Sequence, residues 1–187
     1  MHPFPTVITH NYHPDRGPLR NICDLPDEAA ERILDNIRAA GTARLRASYL
    51  RKRRVTEAWL IAERTRRLGP PRLPRPLYFF LGDFADGLDP SRPQSVVLPL
   101  AALAPEMLTF TYPDSMASFS LARRDGHAAD RKPHHGRVFI LEEIRALVAD
   151  EGLPDPRGDA RFDRFIEVQV WDDTPLKPLS LEGEGLG

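Results

Sequence analysis

The chain has 187 residues, with 26 basic and 27 acidic side chains and a formal net charge of −1. This length allows one domain with a hydrophobic core that needs no disulfide or metal to stabilise it. Its single cysteine excludes an internal disulfide, and its longest apolar runs are far shorter than the roughly 20 residues of a membrane helix.

The first residues give an expectation about localisation. The first five residues, MHPFP, have neither the basic nor the apolar region of a secretory signal, so we expect a soluble, cytoplasmic protein with no membrane partner. We expect a single α+β domain over residues 1–180 and a flexible tail over residues 181–187. The 19 prolines and 12 glycines predict many loops, which argues against a plain helical bundle.

The N-terminal third begins with a strand and continues with helices. Residues 6–10 are predicted to form a short strand, in which four β-branched residues precede His10 and a turn containing Pro14 follows. A helix follows, with Ala30, Ile33, Leu34 and Ile37 on one face and Gly41 at its end.

Residues 42–68 are predicted to form a second, strongly basic helix. Leu45, Tyr49, Val55, Trp59 and Ala62 mark one face, and nine bases against two acids give the segment a net charge of +7. Residues 142–187 hold twelve acids and five bases, a net charge of −7. The basic helix therefore either binds the phosphates of a nucleic acid or faces the acidic half within the fold. We expect the four consecutive bases to be exposed and Trp59 to be buried; these bases are Arg51, Lys52, Arg53 and Arg54.

The middle of the chain is predicted to form strands. The apolar run 77–81 is typical of a central strand, and further strands are expected at 95–98 and 108–112. Phe119, between Ser118 and Ser120, is a possible start of another strand. A short strand at 137–140 leads into a helix with Leu141, Ile144, Leu147 and Val148 inward.

Three histidines lie in a polar stretch that we expect to be a mobile loop. His127, His134 and His135 show no HxxxH spacing and have no CxxC motif beside them, and adjacent histidines rarely chelate one ion well. We therefore predict no metal site.

The late segment 164–171, RFIEVQVW, alternates as a strand does. Ile166, Val168 and Val170 belong to one face, while Glu167 and Gln169 lie between aromatic residues on the other. A carboxylate and an amide between rings suit a cleft for a planar polar ligand, but an ordinary solvated sheet face has the same pattern.

The succession of strands at 7–10, 77–80, 95–98, 108–111 and 165–170 resembles the ADP-ribosyltransferase fold, in particular its bacterial toxin-like and DNA-modifying branches. The resemblance implies an α+β domain with mixed, largely antiparallel sheets and two or three flanking helices. It also implies that the protein binds NAD and transfers ADP-ribose to a nucleic-acid or protein acceptor. The alternative is a non-catalytic nucleic-acid-binding or interaction module that uses the basic helix.

The resemblance also implies roles for individual residues. Glu167, with Gln169 two positions later, would stabilise the positive charge that develops on the ribose when nicotinamide leaves. Tyr78 would stack on nicotinamide, His10 would bond the adenosine-side ribose, and Ser118 is the alternative to Tyr78 for cofactor contact. We accordingly expect His10 and Glu167 to meet in one region of a sheet.

Overall fold

A computed structural model of the protein describes residues 3–85, 89–123, 125–158 and 162–176. The tail predicted for residues 181–187 lies outside this part of the chain. Within it the strands are β1 Val7–Tyr12, β2 Leu77–Leu81, β3 Gln94–Pro99, β4 Leu108–Thr111 and β5 Glu167–Val170. The α-helices are α1 Asp27–Ala39, α2 Tyr49–Leu68, α3 Ser115–Arg123 and α4 Leu141–Glu151.

The five strands form one antiparallel sheet in the order β3-β1-β2-β5-β4. The predicted α+β class with a largely antiparallel sheet is confirmed, with four helices in the described residues. The apolar strand β2 is central, as predicted. In the described part of the chain, no helix combines the length and hydrophobicity needed to cross a bilayer.

One face of the sheet carries the main hydrophobic core. Ile8, Phe79, Phe110 and Val168 point to this face, where Ile144 and other apolar residues of α4 pack against them. The predicted alternation of residues 166, 168 and 170 is confirmed, because all three side chains are buried in this core. The segment 137–140 pairs only through Phe139, which forms an isolated bridge with Phe110 before α4 begins.

The basic helix α2 covers the opposite face of the sheet. It begins at Tyr49 rather than at residue 42, because the preceding chain folds over the end of α1, where Arg38 donates to the carbonyl of Leu45 at 3.2 Å. The predicted apolar face of this helix is wrong. Val55 is 52% exposed, and the buried positions instead recur at alternating steps of three and four residues, with Thr56 beside them; the recurring positions are Leu50, Arg53, Glu57, Leu60 and Arg64.

The segment around Phe119 is helical, so the strand considered there is wrong. Asp114 explains the difference, since its carboxylate oxygen accepts the backbone N–H groups of Met116 and Ala117 at 3.1 Å. This satisfies donors that have no partner within the first turn of α3.

The orientation of α2 can be tested by two truncations on the same helix. Leu60→Ala removes a fully buried side chain and should lower the free energy of unfolding by about 2–5 kcal/mol. Val55→Ala should change it by no more than about 0.5 kcal/mol, because this side chain is half exposed. Urea unfolding of both variants provides the measurement, and equal losses of stability would contradict this orientation.

Candidate functional site

The sheet face that carries Glu167 and Gln169 is closed rather than open. Glu167 is 6% exposed and Gln169 is fully buried, because Arg53 of α2 and Ser115 of α3 reach Glu167 on this face. The solvated-face interpretation is therefore wrong, and no open cleft surrounds Glu167. All hydrogen-bonding groups of the Gln169 side chain have partners inside the protein. Its Nε2 donates to Thr111 and Glu167, and its Oε1 accepts from Thr109, at 2.9–3.1 Å.

Arg53 lies at the centre of this covered face. Its guanidinium stands 3.7 Å from the centroid of the Tyr78 ring and donates to Ser115 Oγ at 3.3 Å. Its nitrogens lie 3.8 Å from Glu57 Oε1 and 3.9 Å from Glu167 Oε2. Burial alone would lower the pKa of Arg53, but the surrounding Tyr78 and carboxylates raise it above its ordinary value. Arg53 is therefore a buried cation between two anions.

Glu57 is a fully buried carboxylate whose charge is compensated by three donors. Asn21 and Arg75 donate to it at 2.8 Å, and the Tyr78 hydroxyl donates at 2.9 Å. Burial, together with Glu57, raises the pKa of the nearby Cys23 thiol to about 11. Cys23 therefore stays protonated at neutral pH and is a poor nucleophile. Tyr78 is enclosed in the same network, between the Arg53 cation and Glu57.

His10 lies on the other side of the sheet from Glu167. Strands β1 and β5 belong to the same sheet, as predicted, but β2 separates them and His10 points to the apolar core beside Phe79. Leu19 donates its N–H to Nε2 at 3.0 Å, so Nδ1 carries the proton and donates to the Tyr78 carbonyl at 2.8 Å. Burial lowers the pKa of His10. Both ring nitrogens are used within the fold.

Only some of the predicted NAD-binding residues are brought together, since Tyr78 and Glu167 both contact Arg53. His10 and Glu167 face opposite sides of the sheet, and Ser118 is buried in α3, where its hydroxyl accepts the Gly136 N–H at 2.9 Å. NAD binding stays a prediction with no supporting contact among the described residues.

A basic groove lies between the N-terminal half of α2 and α3. Its volume is about 800 Å³, and four of its lining residues are basic; they are Arg46, Arg51, Lys52 and Arg123. None of the four has a carboxylate within ion-pair distance among the described residues. Of the predicted nucleic-acid contacts, Arg51 and Lys52 therefore lie in the groove.

The other two predicted contacts do not line the groove. Arg53 is 8% exposed, so its expected exposure is wrong. Arg54 pairs with Asp27 and donates to the Leu25 carbonyl at 3.1 Å, which ties α2 to the start of α1. Arg46 and Arg123 were not predicted as contacts, because Arg46 was counted only among the bases of the segment 42–68 and Arg123 lies in the polar stretch expected to be a mobile loop.

Aromatic side chains accompany the positive charges of the groove. The Arg123 guanidinium lies 3.9 Å from the Phe119 ring centroid, and Phe119 packs on Trp59 at 5.1 Å. Trp59 itself is half-buried rather than buried. Phe119 and Phe162 both line the groove, so α3 and the segment before β5 supply aromatic rings beside the bases of α2.

Asp114 is the only acid among the described lining residues of the groove. Burial and the neighbouring carboxylate of Glu167 raise its pKa to about 6. Its negative charge therefore diminishes in mildly acidic solution, and the groove becomes more positive there.

Comparisons with known proteins found no matching family model, curated protein or solved structure.

The buried charge network can be tested at Glu57. Glu57→Gln leaves Arg53 and Arg75 with one fewer compensating charge, and should lower the free energy of unfolding by about 3–5 kcal/mol. Glu63→Gln on the same helix breaks only a surface pair with Arg66 and should cost no more than about 1 kcal/mol. Urea unfolding distinguishes them, and similar small effects would show that the network contributes little.

The raised pKa of Asp114 predicts a pH dependence of stability. Its folded-state pKa of about 6 exceeds the unfolded value of 3.8, so the folded protein binds more protons between these values. The stabilisation of the folded state by protonated Asp114 is complete below about pH 4 and is lost as pH rises through 6. Asp114→Asn should remove this loss, so unfolding free energies of wild type and variant should diverge over this range.

The Asp114 measurement needs a control for the loss of one charge. Asp15→Asn removes a carboxylate that is 84% exposed, and its unfolding should be followed over the same pH range. Parallel curves for wild type and Asp114→Asn would contradict the raised pKa.

Proposed function

We propose that the protein binds single-stranded nucleic acid in the basic groove between α2 and α3. The observation that carries the proposal is the combination, in one groove, of two half-buried aromatic rings and four basic side chains that have no carboxylate partner among the described residues. Proteins that bind single strands combine the same two features, a positive groove for the backbone and rings for the bases.

The charges support binding to a phosphate backbone. Arg51 and Lys52 come from the first turn of α2, Arg46 precedes that helix, and Arg123 ends α3, so the positive charges border the groove on both sides. Neutralising phosphates with these side chains would release counterions, which favours association at low salt. The other bases of α2 contribute less, because Arg53, Arg54 and Arg67 pair with acids of the protein.

The aromatic residues favour a single strand over a duplex. Phe119 lies among the cations and rests against Trp59, which limits its movement. A base can stack on such a ring only when it is not enclosed in a double helix. Single-stranded DNA and RNA both meet this requirement.

Transfer of ADP-ribose from NAD is the other predicted function, and nicotinamide release by the purified protein tests it. Because Glu167 is enclosed with Arg53, such activity would require α2 to move away from the sheet.

The binding proposal predicts a steep dependence on salt. Affinity for a labelled 12-mer of dT or rU should fall with a logarithmic slope of about −3, since each of four phosphate contacts contributes about 0.7 on a single strand. Arg51→Gln/Lys52→Gln should reduce this slope by about 1.4. Fluorescence anisotropy between 50 and 300 mM salt, roughly the range where such effects are large, gives the measurement.

Matched variants separate the groove from general surface charge. Arg44→Gln/Arg66→Gln removes two charges that do not line the groove and should leave most of the affinity intact. Phe119→Leu keeps an apolar contact with Trp59 but removes the stacking ring, and should cost roughly 1–3 kcal/mol of binding. A flat salt response, or equal losses in both double variants, would sink the proposal.

A further inference from the structure

A second cluster of polar residues lies away from the groove, near the C-terminal end of α4. His134, His135 and Asp163 are all buried, and their ligand atoms lie within 4.8 Å of one another. The two imidazole rings are 4.7 Å apart and perpendicular, so adjacent residues present their edges in different directions. Asp163 reaches the same point from a distant part of the chain. The fold thus brings the three side chains together, although the spacing of the histidines in the sequence does not predict a metal site.

His134 is unusual because its ring is buried without a hydrogen bond. It is 1% exposed, and neither ring nitrogen has a hydrogen-bond partner among the described residues. Nδ1 lies 3.2 Å from Glu151 Oε2, Nε2 lies 3.9 Å from Asp163 Oδ2, and the ring stacks on Tyr112 at 4.6 Å. Burying an unbonded polar ring costs free energy, so the position points to a ligand.

The Lys132 ammonium is the cation that lies beside Asp163 in this cluster. The ammonium lies 2.5 Å from Asp163 Oδ2, and the backbone N–H of Lys132 donates to His135 Nδ1 at 3.0 Å. Nε2 of His135 therefore carries the proton and donates to Asp163 Oδ1 at 2.9 Å. The Lys132 side chain is 49% exposed, so it can move into solvent and leave Asp163 free.

We propose that His134 Nε2, His135 Nε2 and Asp163 Oδ2 bind a divalent transition-metal ion of the Zn²⁺ class. Two imidazole nitrogens and one carboxylate are ligands that such ions prefer. With the ion bound, Glu151, whose Oε2 lies 3.2 Å from His134 Nδ1, would accept the Nδ1 proton and so direct Nε2 towards the ion, as carboxylates beside metal-bound histidines do. The ion replaces the Lys132 ammonium, and the His135 proton moves from Nε2 to Nδ1, which separates that nitrogen from the Lys132 N–H.

Zn²⁺ titration of the full-length protein tests the site. After removal of bound metal with a chelator, calorimetry should detect one Zn²⁺ per chain, and Zn²⁺ should raise the melting temperature. His134→Gln and Asp163→Asn should abolish this binding, and Glu151→Gln should weaken it about 10–100-fold, the usual effect of losing a carboxylate that orients a ligand. His13→Asn removes a histidine outside the cluster and should bind as wild type does.

Lys132→Met keeps the test informative if the ligand variants fail to fold. Removing the competing ammonium from a half-exposed position should tighten Zn²⁺ binding. Absence of Zn²⁺ binding by wild type, wild-type affinity in folded His134→Gln, or unchanged affinity in Lys132→Met would each overturn the proposal.

Discussion

The contact of Arg53 with Glu57, Glu167 and Tyr78 joins the basic helix to the sheet, and much of the structure depends on it. A guanidinium in the interior is tolerated only when opposite charge surrounds it, because the loss of hydration is large. Here one carboxylate comes from the same helix and the other from β5, while the Tyr78 ring of β2 lies under the cation. The positions of one helix and two strands are thereby coupled. The arrangement also explains why Glu167 is unavailable to solvent.

The charge of α2 is divided between the interior and the surface. Arg53 and Arg67 contact Glu167 and Glu143, both in the acidic part of the chain, so the intramolecular interpretation of the basic helix accounts for them. Arg51 and Lys52 project from the same helix into the groove. Because successive residues of a helix point about 100° apart, a run of four bases cannot share one environment. The two interpretations of the basic helix therefore apply to different residues.

The buried histidines His10 and His134 differ in whether their ring nitrogens have hydrogen-bond partners among the described residues. His10 has a backbone partner for each nitrogen and lies against the apolar core, which accounts for it as a structural residue. His134 is equally enclosed but lacks hydrogen bonds, with carboxylates on both sides at 3.2 and 3.9 Å. Burial alone does not separate a core histidine from a ligand, whereas the hydrogen bonds of the ring do.

The sequence by itself determined the α+β class, the positions of the five strands, the helix α1 and the inward face of β5, although it also predicted strands at 119 and 137–140 that do not belong to the sheet. These follow from local patterns, as when Ala30 and Leu34 fall on one side of a helix, or Val168 and Val170 on one side of a strand. Only the tertiary structure decided that Glu167 is covered and that His10 lies on the opposite side of the sheet from it. The tertiary structure also decided that Arg51 and Phe119 line the same groove. Periodicity specifies which residues share a face but not which element covers that face. The buried face of α2 is itself partly charged, and such a face has no hydrophobic signal in the sequence until its partners are in place.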